Sequence, residues 1–339
     1  MRHTLILTLM VILYMLMELR LSKRYSTLYL FCGILCIGGI NMEKAKVYFC
    51  KEVTPEKLVE MYKTLGKELT GNVAVKVHSG EAGNQNYLRP EFMKNLIEYV
   101  GGTVVEANTA YGERFGGERD LTEKHRKVIE DHGWNMYNFD LMDAEGPDDE
   151  LEIPNGKILK KDIVGKNLKN YDSMLIVSHF KGHPMGGYGG ALKQLSIGCA
   201  SSAGKALIHS AGNSTDIFKC WDYDLHDEFL ESMADATSAV VKFFKGNMVF
   251  INVMANMSVD CDCVGDGNAE DPCMEDMGIL ISTDPIAIDQ ACLDIVMNSD
   301  DPGRDHFLER VNSRNGFHTI EAAAELGFGT REYELIEVK

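Results

Sequence analysis

From Lys44 onward the chain alternates between two spacings of apolar residues. AKVYF opens as a strand, and TPEKLVEMYKTLGKEL then takes up a helical period, with Thr54 placed as N-cap and Pro55 at the first helical position. NVAVKVHS returns to the two-residue period of a strand. RPEFMKNLIEYVGG reads as a helix closed by Gly101, GTVVEANTAYG as the next strand, and LTEKHRKVIEDHGW as a helix capped by Gly133. This βαβαβα rhythm predicts an α/β fold, a mostly parallel sheet covered by helices.

The rhythm breaks between Phe139 and Lys160. DLMDAEGPDDE is acidic and turn-rich, and ELEIPNGKILK predicts a β-hairpin turning at Asn155-Gly156. Beyond it, YDSMLIVSHF is a buried strand, followed by a glycine-rich loop and a helical stretch from Gly190. DEFLESMADATSAVVKFFKG is an amphipathic helix, and NMVFINVMANMSVDCDC a strand that ends in cysteines. MGILISTDPIAIDQACLDIVMN is a strand and a helix with a turn at Asp284-Pro285, and REYELIEV a last strand. We read two βαβ-type halves, about 42–138 and 171–339, joined by a hairpin region 139–170 and forming one site. Such sheets carry their function at the C-terminal ends of the strands.

Residues 1–41 stand apart. Thr4 to Met17 is almost wholly apolar, as is Thr27 to Ile40, and each falls short of the roughly 20 residues of a membrane-spanning helix. One reading is a membrane anchor or signal segment. The other, which we favour, is a mis-assigned start, with the globular chain beginning at Met42.

The net charge of −17 argues against a nucleic-acid binder, which needs clustered Lys and Arg. Nine cysteines in 339 residues, an odd number in a chain long enough to build its own core, suit thiols in a reducing compartment better than disulfides. A cytoplasmic protein is expected, or a membrane-anchored one if residues 1–41 are genuine.

Four groups of residues can carry chemistry. Cys261-Asp262-Cys263 at a strand end, with Cys273 across a flexible loop, offers the soft thiolates that zinc, copper(I) and iron–sulfur clusters take. Cys199, in a small-residue stretch that runs on to His209, is a candidate fourth ligand, with a packed interior thiol as the alternative. His179, Lys181 and His183 follow the strand MLIVS and suit acid–base work, with Lys181 placed to hold an anion. Gly186, Gly187, Gly189 and Gly190 open a helix ahead of Lys193 and can cradle an anion, or serve only to let helix and sheet pack closely. His78, Glu106 and Asn108 end strands of the first half, and His78 joins the cofactor-binding candidates. Asp284 reads as a helix cap.

Taken together, HFKGHPMGGYGGALKQLSIGCASSAGK, FINVMANMSVDCDC and MGILISTDPIAIDQACLDIV resemble the DUF362 family, nearly from Met42 to the C-terminus. Members are often described as iron–sulfur or ferredoxin-like proteins. The resemblance implies that His179, Lys181 and His183 belong to the family's motif, and that Cys199, Cys261 and Cys263 stand where the family has cysteines. Many relatives carry an inserted ferredoxin module after the histidine matching His209; here that stretch holds only Cys220. The expected protein binds an iron–sulfur cluster, 4Fe–4S favoured, or a single transition metal such as zinc or iron. It acts as a redox or metal-dependent enzyme on a small anionic molecule, with an electron-transfer protein as a partner in the redox case. Two alternatives stay open: a non-redox isomerase, racemase or hydrolase using histidine acid–base chemistry, and a non-catalytic metal or cluster carrier.

Overall fold

The computed structural model describes residues 44–112, 115–265 and 267–339, so both readings of residues 1–41 lie outside the described residues. Lys44–Lys339 is one compact unit. In chain order it holds β1 (Ala45–Cys50), α1 (Pro55–Leu65), β2 (Val73–Lys76), α2 (Pro90–Val100), β3 (Thr103–Glu106), α3 (Thr122–Asp131), β4 (Phe139–Leu141), β5 (Asp149–Glu152) and β6 (Lys161–Val164). There follow β7 (Ser173–His179), β8 (Lys181–His183), β9 (Gly187–Gly189), α4 (Ala191–Cys199), α5 (Ser202–His209) and α6 (His226–Phe243). The chain closes with β10 (Met248–Met254), β11 (Gly278–Ser282), α7 (Pro285–Met297), α8 (Arg304–Ser313), α9 (Phe317–Glu325) and β12 (Tyr333–Glu337).

Eight strands form one sheet in the order β12-β1-β11-β10-β7-β2-β3-β4. Every neighbouring pair is parallel except those made by β11, which runs against β1 and β10. This is the mostly parallel α/β sheet expected from the sequence. The two halves interleave within it: β1 crosses to the far side, between β11 and β12, while β2, β3 and β4 continue the sheet from β7. Residues 139–170 supply the edge strand β4 as well as a hairpin.

Alternate residues of each strand feed two cores. One face sends Val75, Leu175, Val177 and Ile251 against Leu58 and Met61 of α1 and Leu96 of α2. The other sends Ala74, Ile176 and Phe250 against Leu195 of α4, Leu230 of α6 and Leu293 of α7. Both faces are dry, which is why the central strands read as nearly continuous apolar runs.

Local signals fixed most helix ends. Thr54 Oγ1 accepts from the Lys57 amide at 3.2 Å, and Gly66 and Gly101 take left-handed conformations (φ 69° and 70°) behind α1 and α2. Asp284 caps α7 through the amides of Ile286 and Ala287. The hairpin is a correction. Its strands pair Asp149 with Val164 and Glu152 with Lys161, leaving a loop over 153–160 in place of a tight turn at Asn155-Gly156. The loop stays open because Asp235 of α6 captures the amides of Lys157, Ile158 and Leu159 at 2.7–2.9 Å. Among the described residues every cysteine is a free thiol, and no helix is long and apolar enough to cross a membrane.

Candidate metal centre

β10, β7 and β2 are parallel neighbours, so their C-terminal ends open on one edge of the sheet. Beyond β2 stands His78, beyond β7 the β8–β9 hairpin with Lys181 and His183, and beyond β10 the turn that carries Cys261 and Cys263. One donor atom each from His78, Cys261 and Cys263 lies within 4.8 Å of the other two. Two sulfurs and an imidazole are the donor set of zinc and of other borderline or soft ions.

Asp262 aims the pair of thiols. It is fully buried and is gripped by Lys181 Nζ at 2.7 Å and by His179 Nδ1 at 2.9 Å. Burial acts to raise its carboxyl, but His179 and Lys181 outweigh it and hold it below the ordinary range. His179 Nε2 meets the Ala255 carbonyl at 2.6 Å, so both ring nitrogens face acceptors. Of the expected trio, His179 and Lys181 thus both hold Asp262, which stands between the two cysteines.

His183 lines the adjoining cavity. Its Nδ1 accepts from the Met185 and Gly186 amides at 3.1 and 2.8 Å, which leaves the proton on Nε2, and the ring is hydrogen-bonded to Cys261. Lys193 Nζ donates to Cys261 Sγ at 3.6 Å. Burial raises the Cys261 thiol, but the Cys263 thiol, Lys193 and His183 outweigh it and hold Cys261 well below the ordinary value. Cys263, its hydrogen-bond partner, is raised by that bond and by burial, so the pair shares one proton. His78 is pushed down to about 4 by burial and by Arg119, which keeps it neutral, the ligating form. Gly80 N–H donates to its Nδ1 at 3.0 Å.

The four-cysteine set expected from the sequence does not assemble. Cys199 lies inside α4 against Met174 Sδ (3.9 Å), and burial pushes its thiol up to about 12. The Cys273 thiol donates to the Met257 carbonyl at 3.4 Å, and neither cysteine belongs to the group around His78. The glycine loop leads into α4. The amides of Ala191 and Leu192 at the start of α4 are taken by the Asp289 carboxylate at 2.8 and 3.0 Å, so an internal carboxylate fills this end of the loop. A Cβ on Gly190 would stand 2.4 Å from Asp289 Oδ1, and one on Gly187 2.9 Å from Gly316 Cα. These glycines serve close packing.

Cys263 and His78 face a cavity of about 440 Å³. Lys76, Arg119, Lys193 and Lys205 line it, with Glu106 as the single lining carboxylate among the described residues. Lys76, Arg119 and Lys205 stand in no motif of the sequence, and it is their burial that sets them apart from surface cations. Arg119 donates to Glu106 at 2.9 Å and to Glu81 at 3.2 Å, and His125 Nε2 lies 3.1 Å from the other oxygen of Glu106. Burial acts to raise Glu106, yet Arg119 and His125 hold it well below the ordinary range. Burial pushes Lys205 down to about 8 and leaves Lys76 lowered too. A protein of net charge −17 has thus concentrated cations around one cavity.

A family model described as a domain of unknown function, DUF362, matches residues 73–294. The chain belongs to the DUF362 family. The matched span contains the candidate donors and every residue named above as lining the cavity. No curated protein matches the chain. Among solved structures it is similar to a lactate racemase apoprotein from Thermoanaerobacterium thermosaccharolyticum, at 12% identity and a TM-score of 0.39, over 62% of this chain and 51% of that one. It is also similar to a protein from Thermotoga maritima, at 13% identity and a TM-score of 0.36, over 80% of this chain and 58% of that one. The chain thus spans between half and three-fifths of the structures it resembles, and likenesses this shallow carry no argument about substrate or mechanism.

Proposed function

We propose that this DUF362 protein is a metal-dependent enzyme acting on a small anion, with one transition-metal ion held by His78, Cys261 and Cys263. The observation that carries this reading is the convergence of three soft donors, two of them on the wall of a cavity lined by four cations. A set of three protein ligands is the arrangement of catalytic sites, which keep a coordination position for water or substrate, whereas structural sites close with four. An ion there supplies Lewis-acid polarisation or, if redox-active, electrons. Among the described residues two cysteines converge, which favours one ion over a 4Fe–4S cluster with its four ligands.

The chain's own residues do the rest. Lys76, Arg119, Lys193 and Lys205 hold the anion, and Glu106 fixes the Arg119 guanidinium in place. Lys205, pushed down to about 8, can give up or take a proton near neutral pH. That property also favours a second reading, an isomerase that moves a proton at a substrate carbon with Lys205 as base.

Metal content and the visible spectrum of anaerobically prepared protein decide between the forms. The expected result is about one metal ion per chain, lost in Cys261→Ser and in Cys263→Ser and unchanged in Cys273→Ser. About four irons and four sulfides per chain with broad absorbance near ~400 nm would replace the single ion by a cluster. A folded chain that takes up no metal would sink the proposal.

A further inference from the structure

The same cavity is built from two unlike ends. Its cations are deep: Lys76 and Arg119 are each 1% exposed and Lys205 5%. Its outer wall is aromatic, with Phe115 38% exposed and Tyr111 and Trp221 partly so. These rings form one continuous surface. Tyr111 stacks on Phe115 with centroids 5.5 Å apart and planes 18° from parallel, and Phe115 meets Trp221 edge-on at 5.4 Å. Trp221 in turn leans on His209 at 4.8 Å, and His209 also lines the cavity. The rings come from two separate stretches, the segment after β3 and the segment after α5, so no single local packing need explains their meeting here. Buried aromatics are ordinary core, but rings left partly open on the wall of a charged cavity mark a contact surface for a ligand.

We infer that the anion this cavity takes carries a flat aromatic ring, its charged group among the buried lysines and Arg119 and its ring against Phe115 and Trp221. The inference rests on the proposed function only in sharing the cavity's cationic end. Stacked or edge-on aromatic contacts stabilise a complex beyond the area they cover. Two such contacts give a preference of about tenfold for a flat ring over a saturated ring of equal size and charge.

The test is a calorimetric titration of the full chain, metal-loaded and metal-depleted, with benzoate against cyclohexanecarboxylate, and with phenyl phosphate against cyclohexyl phosphate as a second head group. About tenfold tighter binding of benzoate, falling to parity in Phe115→Ala/Trp221→Ala with its circular dichroism intact, supports the inference. A preference shown by phenyl phosphate alone supports it with a phosphate head group. Equal binding of the flat and saturated rings, or a preference that survives the double variant, overturns it. Should the protein take up no metal and still prefer the flat ring, the metal reading fails and this one stands. Metal uptake without ring preference has the opposite meaning.

Discussion

Asp162 lies on β6, fully buried, and neither of its carboxylate oxygens has a hydrogen bond of normal geometry, although the Ile163 amide and Lys205 both favour its charged form. Burial raises it from 3.8 to about 7. The folded chain therefore keeps a proton between about pH 4 and 7 that the unfolded chain has released, and stability falls as pH rises through that window. At ~1.4 kcal/mol per pH unit, ionised Asp162 costs the fold about 4 kcal/mol at pH 8. Asp162→Asn removes the charge but still buries an unpaired amide. The expected result is a gain of about 1–2 kcal/mol over the parent at pH 8, none at pH 4, and a flatter dependence between, read by urea unfolding. A pH dependence identical in both proteins would show that Asp162 is solvated. Asp262 works in the other sense, since its charge is used. Asp262→Asn weakens the grip on both cysteines while leaving their sulfurs in the chain. Metal affinity is expected to fall about 10–100-fold by competition with a chromogenic chelator, with secondary structure retained.

At the scale of elements, the joint between α4 and α7 decides how the cavity wall stands. Asp289 of α7 accepts from the Ala191 and Leu192 amides, from Tyr188 at 3.2 Å and from Asn252 at 2.7 Å, so one carboxylate ties β9, α4 and β10 to α7. Asp289→Ala leaves those donors buried and unpaired, and a loss of about 2–4 kcal/mol is expected in urea unfolding. A loss below about 1 kcal/mol would mean that water replaces the carboxylate. This joint was not legible in the sequence, because a glycine-rich loop before a helix reads the same whether an external anion or a distant Asp fills it. Helix ends were legible, since Thr54, Pro55, Gly101 and Asp284 act on their immediate neighbours. The open 153–160 loop was not, because Asn155-Gly156 prefers a tight turn on its own and loses to Asp235 from another element. For the site, the Cys261–Cys263 pair and His78 were visible as residues at strand ends. Their meeting depends on β10, β7 and β2 being neighbours, which is topology and has no local signal.

Over the whole molecule, the candidate donors sit beyond the strand ends, while the bulk of the core covers the two faces of the sheet. The core lies on both faces of an eight-stranded sheet, its central strands β7, β10 and β11 buried along their full length. β1 joins β11 across about 230 residues of chain, and the Ser282 hydroxyl donates to the Lys46 carbonyl 236 residues away. Such long-range pairing makes the sheet slow to form and cooperative once formed. Small zinc domains behave differently, because their metal replaces a core they lack and its removal unfolds them. Here a chelator is expected to leave the far-ultraviolet circular dichroism and a cooperative thermal transition in place. Adding the ion back at about 100 times its dissociation constant should then stabilise the fold by about 2.7 kcal/mol, the amount that binding to the folded state alone supplies. That increment should vanish in Cys261→Ser, whose sulfur is lost, and persist in Cys199→Ser, whose thiol is packed against Met174 away from the group. Unfolding on chelation alone would mean that the ion is part of the scaffold, and that the three donors close a structural site around it.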